Sequence, residues 1–361
     1  MDNIQEKNHK FLVEELMVPN CKRSDTQRIN MFSLHLNQIL IPDNPDIPRV
    51  FTNFENQIGR YSSGYKVLEK DIQIIDKVKK NKYNSIFIHK DKDNYYDIFE
   101  RKEAVNITEH YGFRCVNHVD DLEQGDEVVE NSLLMRNTSY DDELNLMYGK
   151  NLKALYTSFK DLTFEDAICI CESKAKEFTT NYVNIIYVSI NTNDILINLY
   201  GNETEYKTFP DIGDKIENGI LCARRRTDHD MALYTLSNEK LMKVDPNIDT
   251  CFYSHGKVVD IEVFSNTDLE SIEKYSYSKQ IGRYLKSDLA AYRQLKLTLD
   301  PIIEGEEKYS DDIAFLYNRI TNTLDPEVKY THDGRQFSHL LLKFTILESR
   351  ELRIGDKLSN R

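Results

Sequence analysis

Apolar residues recur along this chain with two different periods, and the changes of period mark its elements. The string Ser24-Asp25-Thr26-Gln27 has the form of a capping box, with Ser24 as N-cap, and predicts a helix running to about Leu40. At about 100° per residue, Ile29, Phe32, Leu36 and Ile39 share one side and predict a core face. Arg28, Met31, His35 and Gln38 form an adjacent stripe, presented outward. Pro42, Pro45 and Pro48 then forbid helix and predict an extended connector. From about Lys82 to Leu134 the period drops to two, and runs such as "SIFIHK" and "DEVVENSLL" predict antiparallel strands. Strands are also expected in "NLKALYTSF", "EDAICICES" and "VNIIYVSINTNDILINLYG", and after Tyr206 in "IGDKIENGILCARRR" and "HGKVVDIEVF". The helical period returns from about Lys279 to Leu299, where Ile281, Leu285, Leu289, Tyr292, Leu295 and Leu299 fall at helical spacing, and a second helix is expected after Ser310. From His339, "HLLLKFTILES" predicts a long strand. The pattern is that of a β-rich α+β protein with a helical insertion late in the chain.

One short string recurs at strand ends. Gln124-Gly125-Asp126, Asp211-Ile212-Gly213-Asp214-Lys215 and Arg353-Ile354-Gly355-Asp356-Lys357 each set Gly-Asp between apolar residues. Glycine supplies a positive φ and the aspartate side chain caps its own backbone, so all three predict tight turns. On spacing alone, Lys357 is a solvated turn lysine.

The 361 residues suffice for two or three domains with real cores. No run approaches the roughly 18 consecutive apolar residues of a membrane span, and no apolar stretch follows the polar start MDNIQEKNHK, which points to a soluble cytoplasmic protein. The net charge of −13 opposes nucleic-acid binding by the whole surface, although within a larger assembly only an inner face need be basic. Six cysteines lie scattered, and Cys169-Ile170-Cys171 is too closely spaced for structural zinc, so they are expected to be buried free thiols. Arg224-Arg225-Arg226 suits either phosphate or a solvated turn, and Asp228-His229-Asp230 lacks further ligands at metal-binding spacing. Glu165 and Asp166 are adjacent acids at a strand entry; extended, they face opposite ways, and one of them can serve at most as an outer ligand to Mg2+ carried by a substrate phosphate. There is no Gly-rich phosphate loop, no Gly-x-Ser-x-Gly and no His-Glu-x-x-His. Motif by motif, this is not a complete enzyme.

Taken in order, "LMVPNCKRSDTQRINMFSLHLNQ", "RVFTNFENQIGRYSSGYK", "LNLMYGKNLKALYTSFKDLTFEDAICICES" and "LLLKFTILESRELRIGDKLSNR" resemble the C-terminal half of the β (second-largest) subunit of multisubunit DNA-directed RNA polymerases. The similarity covers most of residues 10–70, 95–175 and 337–361 and is looser between them. The resemblance implies part of a double-psi β-barrel in residues 1–174 and 337–361, with a flap-like domain inserted as residues 175–336. The family continues beyond the last arginine with a His-Gly-Asn-Lys-Gly-like stretch absent here, and the N-terminal half of the subunit is absent too. One fragment of a split subunit, similar to those of giant-bacteriophage polymerases in the host cytoplasm, is therefore expected. An intron, an intein or a truncated sequence would leave the same end.

By resemblance, Arg28 matches an arginine that meets the triphosphate of the incoming nucleotide, and Gln38 a glutamine beside the RNA near its 3′ end. Glu165 and Asp166 match an acidic pair near the nucleotide-borne Mg2+, and Lys357 a lysine that contacts the RNA 3′-terminal phosphate or the initiating nucleotide. Arg350 is the basic residue nearest to the position of a second family lysine, where this chain has Ser349. The main Mg2+ is expected on the other large subunit. The implied partners are the remaining large-subunit fragments, template DNA, RNA product, nucleoside triphosphates and a promoter-specificity factor at the flap. The alternative is a non-catalytic β-rich docking protein that keeps the polymerase scaffold.

Overall fold

The chain enters its fold through a helix whose outer and inner faces follow the periodicity above. The computed structural model describes residues 13–37, 39–55, 64–106, 112–160, 162–163, 167–226, 250–267, 272, 277–305 and 307–358. Helix α1 spans Thr26–Asn37. Ile29 and Ser33 are buried and Phe32 and Leu36 half-buried, while Arg28, Met31 and His35 are exposed. Its N-cap is Asp25 rather than Ser24: the Gln27 amide donates to Asp25 Oδ2 (3.2 Å) and the Ile29 amide to the Asp25 carbonyl (3.1 Å). Ser24 is taken by the preceding turn, where its amide donates to Cys21 and its hydroxyl to Asn20.

The strands, in chain order, are β1 (Tyr65–Val67), β2 (Ile72–Lys79), β3 (Ser85–Asp91), β4 (Tyr95–Arg101), β5 (Ala104–Asn106), β6 (Gly112–Asn117), β7 (Glu127–Val128) and β8 (Leu133–Asn137). After them come β9 (Thr180–Ile190), β10 (Asp194–Leu196), β11 (Ile220–Arg226), β12 (Thr250–Tyr253), β13 (Lys257–Ser265), β14 (Lys308–Tyr309), β15 (Thr331–His332), β16 (Arg335–Gln336) and β17 (Leu340–Arg350). They form sheets ordered β1-β8-β6-β5, β14-β4-β3-β2-β7, β10-β11-β12 and β13-β17-β9, with β15-β16 a small hairpin. Helix α2 spans Ser278–Glu304 and α3 spans Asp311–Leu324, each amphipathic. The Ser310 hydroxyl caps α3 by accepting from the Ile313 amide (3.3 Å).

The long strand expected from His339 is β17, and its position explains its composition. It lies between β9 and β13, antiparallel to both, with Leu340↔Ile190 and Arg350↔Thr180 at the two ends of the β9 pairing. Leu340, Leu342, Phe344 and Ile346 are fully buried against Val188, Ile190, Val258 and Ile261, and Tyr277, Ile281 and Leu285 of the α2 region complete that core. Each such side chain contributes about 1.5–3 kcal/mol by leaving water. The sheet carrying β2 to β4 is covered on both faces: Ile88 and Ile98 pack under Leu295, Leu299 and Ile313, while Phe87 and Phe99 pack with Leu68 and Leu134. That explains the continuous apolar run of "SIFIH". The segments 1–174, 175–336 and 337–361 are thus interleaved: β17 pairs with two strands of the middle segment, and α2 and α3 cover a sheet of the first.

Buried charge ties these layers together. Glu262 of β13 receives Lys80 Nζ from the β2–β3 turn (2.5 Å), Lys343 Nζ from β17 (2.6 Å) and Arg319 from α3 (3.4 Å). Asn81 donates to Asp260 (2.7 Å) beside it. Burial is the largest single influence on the Glu262 carboxyl and acts to raise it, but the lysines together outweigh burial and hold it down at about 2.

Two strand predictions fail. Residues 151–160, and the described part of 162–171, form neither strand nor helix, although "NLKALYTSF" and "EDAICICES" alternate. Alternation describes a side-chain pattern, but a strand also needs a neighbour for its backbone, and among the described residues none pairs with this stretch. Conversely, β1 and β2 lie before the region where strands were expected. Among the described residues, no helix is long and apolar enough to cross a membrane.

Candidate functional site

The three Gly-Asp strings form one and the same turn. Gly125, Gly213 and Gly355 have φ of 93°, 102° and 97°, where a Cβ would be strained. In each, the aspartate amide donates to the carbonyl three residues earlier, at 3.2, 3.0 and 3.1 Å. Each aspartate side chain accepts the amide of that same earlier residue: Glu123 (2.8 Å), Asp211 (3.1 Å) and Arg353 (2.7 Å). Local chemistry alone makes the turn, so the turn itself does not distinguish Lys357.

Surroundings do distinguish it. The turn carrying Lys215 is clamped to α2: Tyr284 donates to Asp211 (2.7 Å), Arg283 pairs with Asp211 (2.5 Å), and Lys207 bridges Asp211 and Asp214 (2.9 Å each). Among the described residues the turn carrying Lys357 has one side-chain anchor, Arg350 to Asp356 (2.8 Å), while Lys357 and Lys215 are both exposed. Arg350 is also within 3.4 Å of the Tyr182 hydroxyl and lies over its ring. It therefore braces the turn. Ser349, next to Arg350, donates to Asn181 (3.0 Å).

The segments that carry the candidate residues meet at the proline connector after α1. Pro42 bridges to Thr180 at the start of β9, the Asp43 amide donates to Thr179 (2.7 Å), and Asn181 donates to Asp43 (2.5 Å) while accepting from Ser349. Asp43 and Asn181 thereby join the chain leaving the Arg28 helix to the strand that leads to Lys357. A few residues on, Asp46 bridges to Gly149, accepts the Asn151 amide (2.9 Å) and pairs with Lys150 (3.2 Å), which fixes the root of the stretch leading to Glu165 and Asp166. The Asn151 amide, followed by Lys150, holds the Asp46 carboxyl below the usual carboxylate range. Asp43, Asn181 and Tyr182 were missed in the sequence because nothing in their local pattern marks them.

Of the other sequence candidates, Arg28 is exposed on α1 as expected. Gln38, Glu165, Asp166 and the Asp228-His229-Asp230 string lie outside the described residues. Arg224 is neither a phosphate contact nor a turn residue: it is 5% exposed within β11, where it donates to the Ser189 carbonyl and pairs with Asp194 (3.2 Å). The thiols also depart from expectation, since Cys169 and Cys171 are exposed. The Ser173 hydroxyl and the Lys174 amide lower the Cys171 thiol, whereas burial pushes Cys222 up to about 12. Among the described residues, which do not include Glu165 and Asp166, no group of three His, Cys, Asp or Glu side chains converges.

The stretch after Asn151 is apolar and uncovered. Leu155 is 84% and Tyr156 90% exposed, and Phe159, Leu162 and Ile168 are exposed as well. Exposed large apolar side chains grouped in this way are typical of surfaces that contact another molecule.

The chain is thus β-rich, with an anchored Lys357 turn and an exposed stretch leading away from one connector, and over nearly its whole length its sequence is similar, at low identity, to bacterial RNA polymerase β subunits. No family model matches it. It is 26% identical over 353 residues to the DNA-directed RNA polymerase subunit beta of Lactobacillus delbrueckii subsp. bulgaricus, covering 97% of this chain and 25% of that one. To the same subunit of Karelsulcia muelleri it is 20% identical over 428 residues (96% of this chain, 32% of the relative), and to that of Ehrlichia ruminantium 21% over 422 (96% and 30%). The chain spans a quarter to a third of the length of these relatives.

Proposed function

We propose that this chain is a fragment of a split β subunit that contributes nucleotide- and RNA-binding side chains to the active centre of a multisubunit DNA-directed RNA polymerase, and is inactive alone. What supports this is that the α1 segment, residues 149–151 and β17 meet at one connector, in a chain whose similarity to β subunits runs through all three. In this reading residues before 175 and after 336 supply part of a double-psi β-barrel, and residues between them a flap.

The chemistry required is positioning and charge neutralisation rather than a covalent nucleophile. Arg28 meets the triphosphate of the incoming nucleotide and Lys357 the phosphate of the RNA 3′ end or the initiating nucleotide. Gln38 lies beside the RNA, and Glu165 and Asp166 sit near the nucleotide. Arg350 contributes indirectly, by bracing the Lys357 turn through Asp356. Each charge-assisted contact contributes about 1.5–3 kcal/mol. Mg2+, held mainly by the other large subunit, supplies charge neutralisation at the phosphates. Partners are the other large-subunit fragments, template DNA and RNA.

The exposed apolar residues Leu155, Tyr156, Phe159, Leu162 and Ile168 favour one alternative, a docking protein that keeps this scaffold without the chemistry. Co-purification from the native source decides between them. A particle containing this chain and other large-subunit fragments that makes RNA from DNA and nucleoside triphosphates supports the proposal; a stable particle without that activity supports docking alone.

A further inference from the structure

A second surface, on the side of α3 away from its core, has the build of a recognition groove. Helix α3 buries Ile313, Leu316 and Ile320, yet Phe315, Asn318, Arg319 and Asn322 form a second stripe at helical spacing, with Phe315 73% exposed. Beside this stripe runs the strap 325–331, and the two enclose an open groove of about 460 Å3, within the size range of recognition sites. Phe264 and Tyr330 are packed edge to face at its wall (5.3 Å), and Val328 adds apolar surface. The strap is held in place by Asn266, which donates to the Tyr330 and Phe337 carbonyls (2.9 Å each) and accepts the Tyr330 amide (2.7 Å). The groove is therefore preformed, which lowers the ordering cost of binding.

Its charge is opposite to that of the molecule. In a chain of net charge −13, Arg319 and Lys329 line the groove, and among the described residues no acidic side chain does. Arg319 is the most distant of three cations around Glu262, at 3.4 Å against 2.5 and 2.6 Å for the two lysines, and also bonds Tyr292; with five N–H donors its guanidinium can make further contacts. We propose that this groove receives a short acidic, aromatic- or leucine-bearing segment of a partner protein, its apolar side chain against Phe315, Val328 and Tyr330 and its carboxylates at Arg319 and Lys329. Asn318 and Asn322, one turn apart, can donate to and accept from the segment's backbone. A nucleic acid fits less well, because its phosphates recur along the whole strand and would meet Asp311 and Asp312 at one end of α3 and Asp325 and Glu327 at the other, whereas a short segment can confine its carboxylates to the two cations. The groove lies within the segment read above as a flap but shares no residue with the proposed active centre, so its test does not involve Arg28 or Lys357 and the two can fail separately.

Fluorescence polarisation with the full chain tests it. The probes are a labelled peptide in which Asp and Glu flank a Phe-Leu pair, the same peptide with Lys replacing the acids, and a labelled single-stranded oligonucleotide. Saturable binding of the acidic peptide is expected, weakened about tenfold or more by Lys329→Glu and by Phe315→Ala, with thermal unfolding unchanged in both variants. Arg319→Ala provides a third variant, read only if it stays folded. Absence of saturable binding, equal binding of the basic peptide, tighter binding of the oligonucleotide, or indifference to both surface substitutions would overturn the proposal.

Discussion

Asp288→Asn should stabilise this protein at neutral and alkaline pH while changing little in acid. Asp288 lies on α2 facing Lys80 from the β2–β3 turn and Asp260 and Glu262 from β13, with Tyr292 and Tyr330 nearby. Burial, with the Glu262 and Asp260 charges added against the pull of Lys80, pushes its carboxyl up from 3.8 to about 7. A folded state with the higher value retains a proton that the unfolded chain releases. Its stability is therefore greatest below about pH 4, falls as pH rises toward 7, and stays reduced above that. At about 1.4 kcal/mol per tenfold change in proton affinity, the cost at pH 8 reaches at most about 4 kcal/mol. Asparagine has the same shape and can still accept the hydrogen bond that Val263 donates to this side chain, so it removes the charge without opening a cavity. Glu262 does not confuse the measurement, because its carboxyl, held at about 2, stays ionised throughout. With no tryptophan in the chain, far-UV circular dichroism in guanidinium at several pH values between about 5 and 8 is the suitable assay. His89 and His339, whose imidazoles burial holds below the usual range, add the opposite slope to wild type and variant alike, so the quantity read is the difference between the two. The stability gained by the variant should grow as pH rises across that range; parallel slopes would refute the electrostatic account of the cluster.

Three further predictions concern the site. Lys357→Ala should leave assembly intact but depress first-bond synthesis by reconstituted polymerase, while Lys215→Ala, in the same kind of turn, should do little; matching abortive-synthesis rates for the two would remove Lys357 from the active centre. Arg28→Ala should raise the apparent KM for all four nucleotides alike, because a triphosphate contact is indifferent to the base, and an effect on one nucleotide only in steady-state extension assays would place Arg28 elsewhere. Tyr156→Asp, on the uncovered stretch, should leave the thermal transition of the isolated chain within about 0.5 kcal/mol of wild type yet reduce co-purification of partner fragments, and normal assembly would show that this surface is not an interface.

Features that depend on neighbours along the chain were legible in the sequence. The inner and outer faces of α1 follow from helical spacing, the three Gly-Asp turns from glycine's freedom at positive φ and a side chain that reaches its own backbone, and α3 begins at the capping residue Ser310. The apolar run of β17 announced a long strand. Even here competition between adjacent signals moved one boundary, when the turn at Cys21–Arg23 claimed Ser24 and left Asp25 as the cap. Tertiary structure decided the rest. "NLKALYTSF" alternates as β2 does, but β2 has partners on both sides and 151–159 has none among the described residues. Arg224 looked like part of a basic cluster until β11 was placed between β10 and β12 with Asp194 at hand. The junction of the site rests on Asn181, whose contacts to Asp43 and Ser349 span 138 and 168 residues. Such pairs carry no local signature, because a hydrogen bond depends on where two segments meet in space and not on the residues that flank either of them.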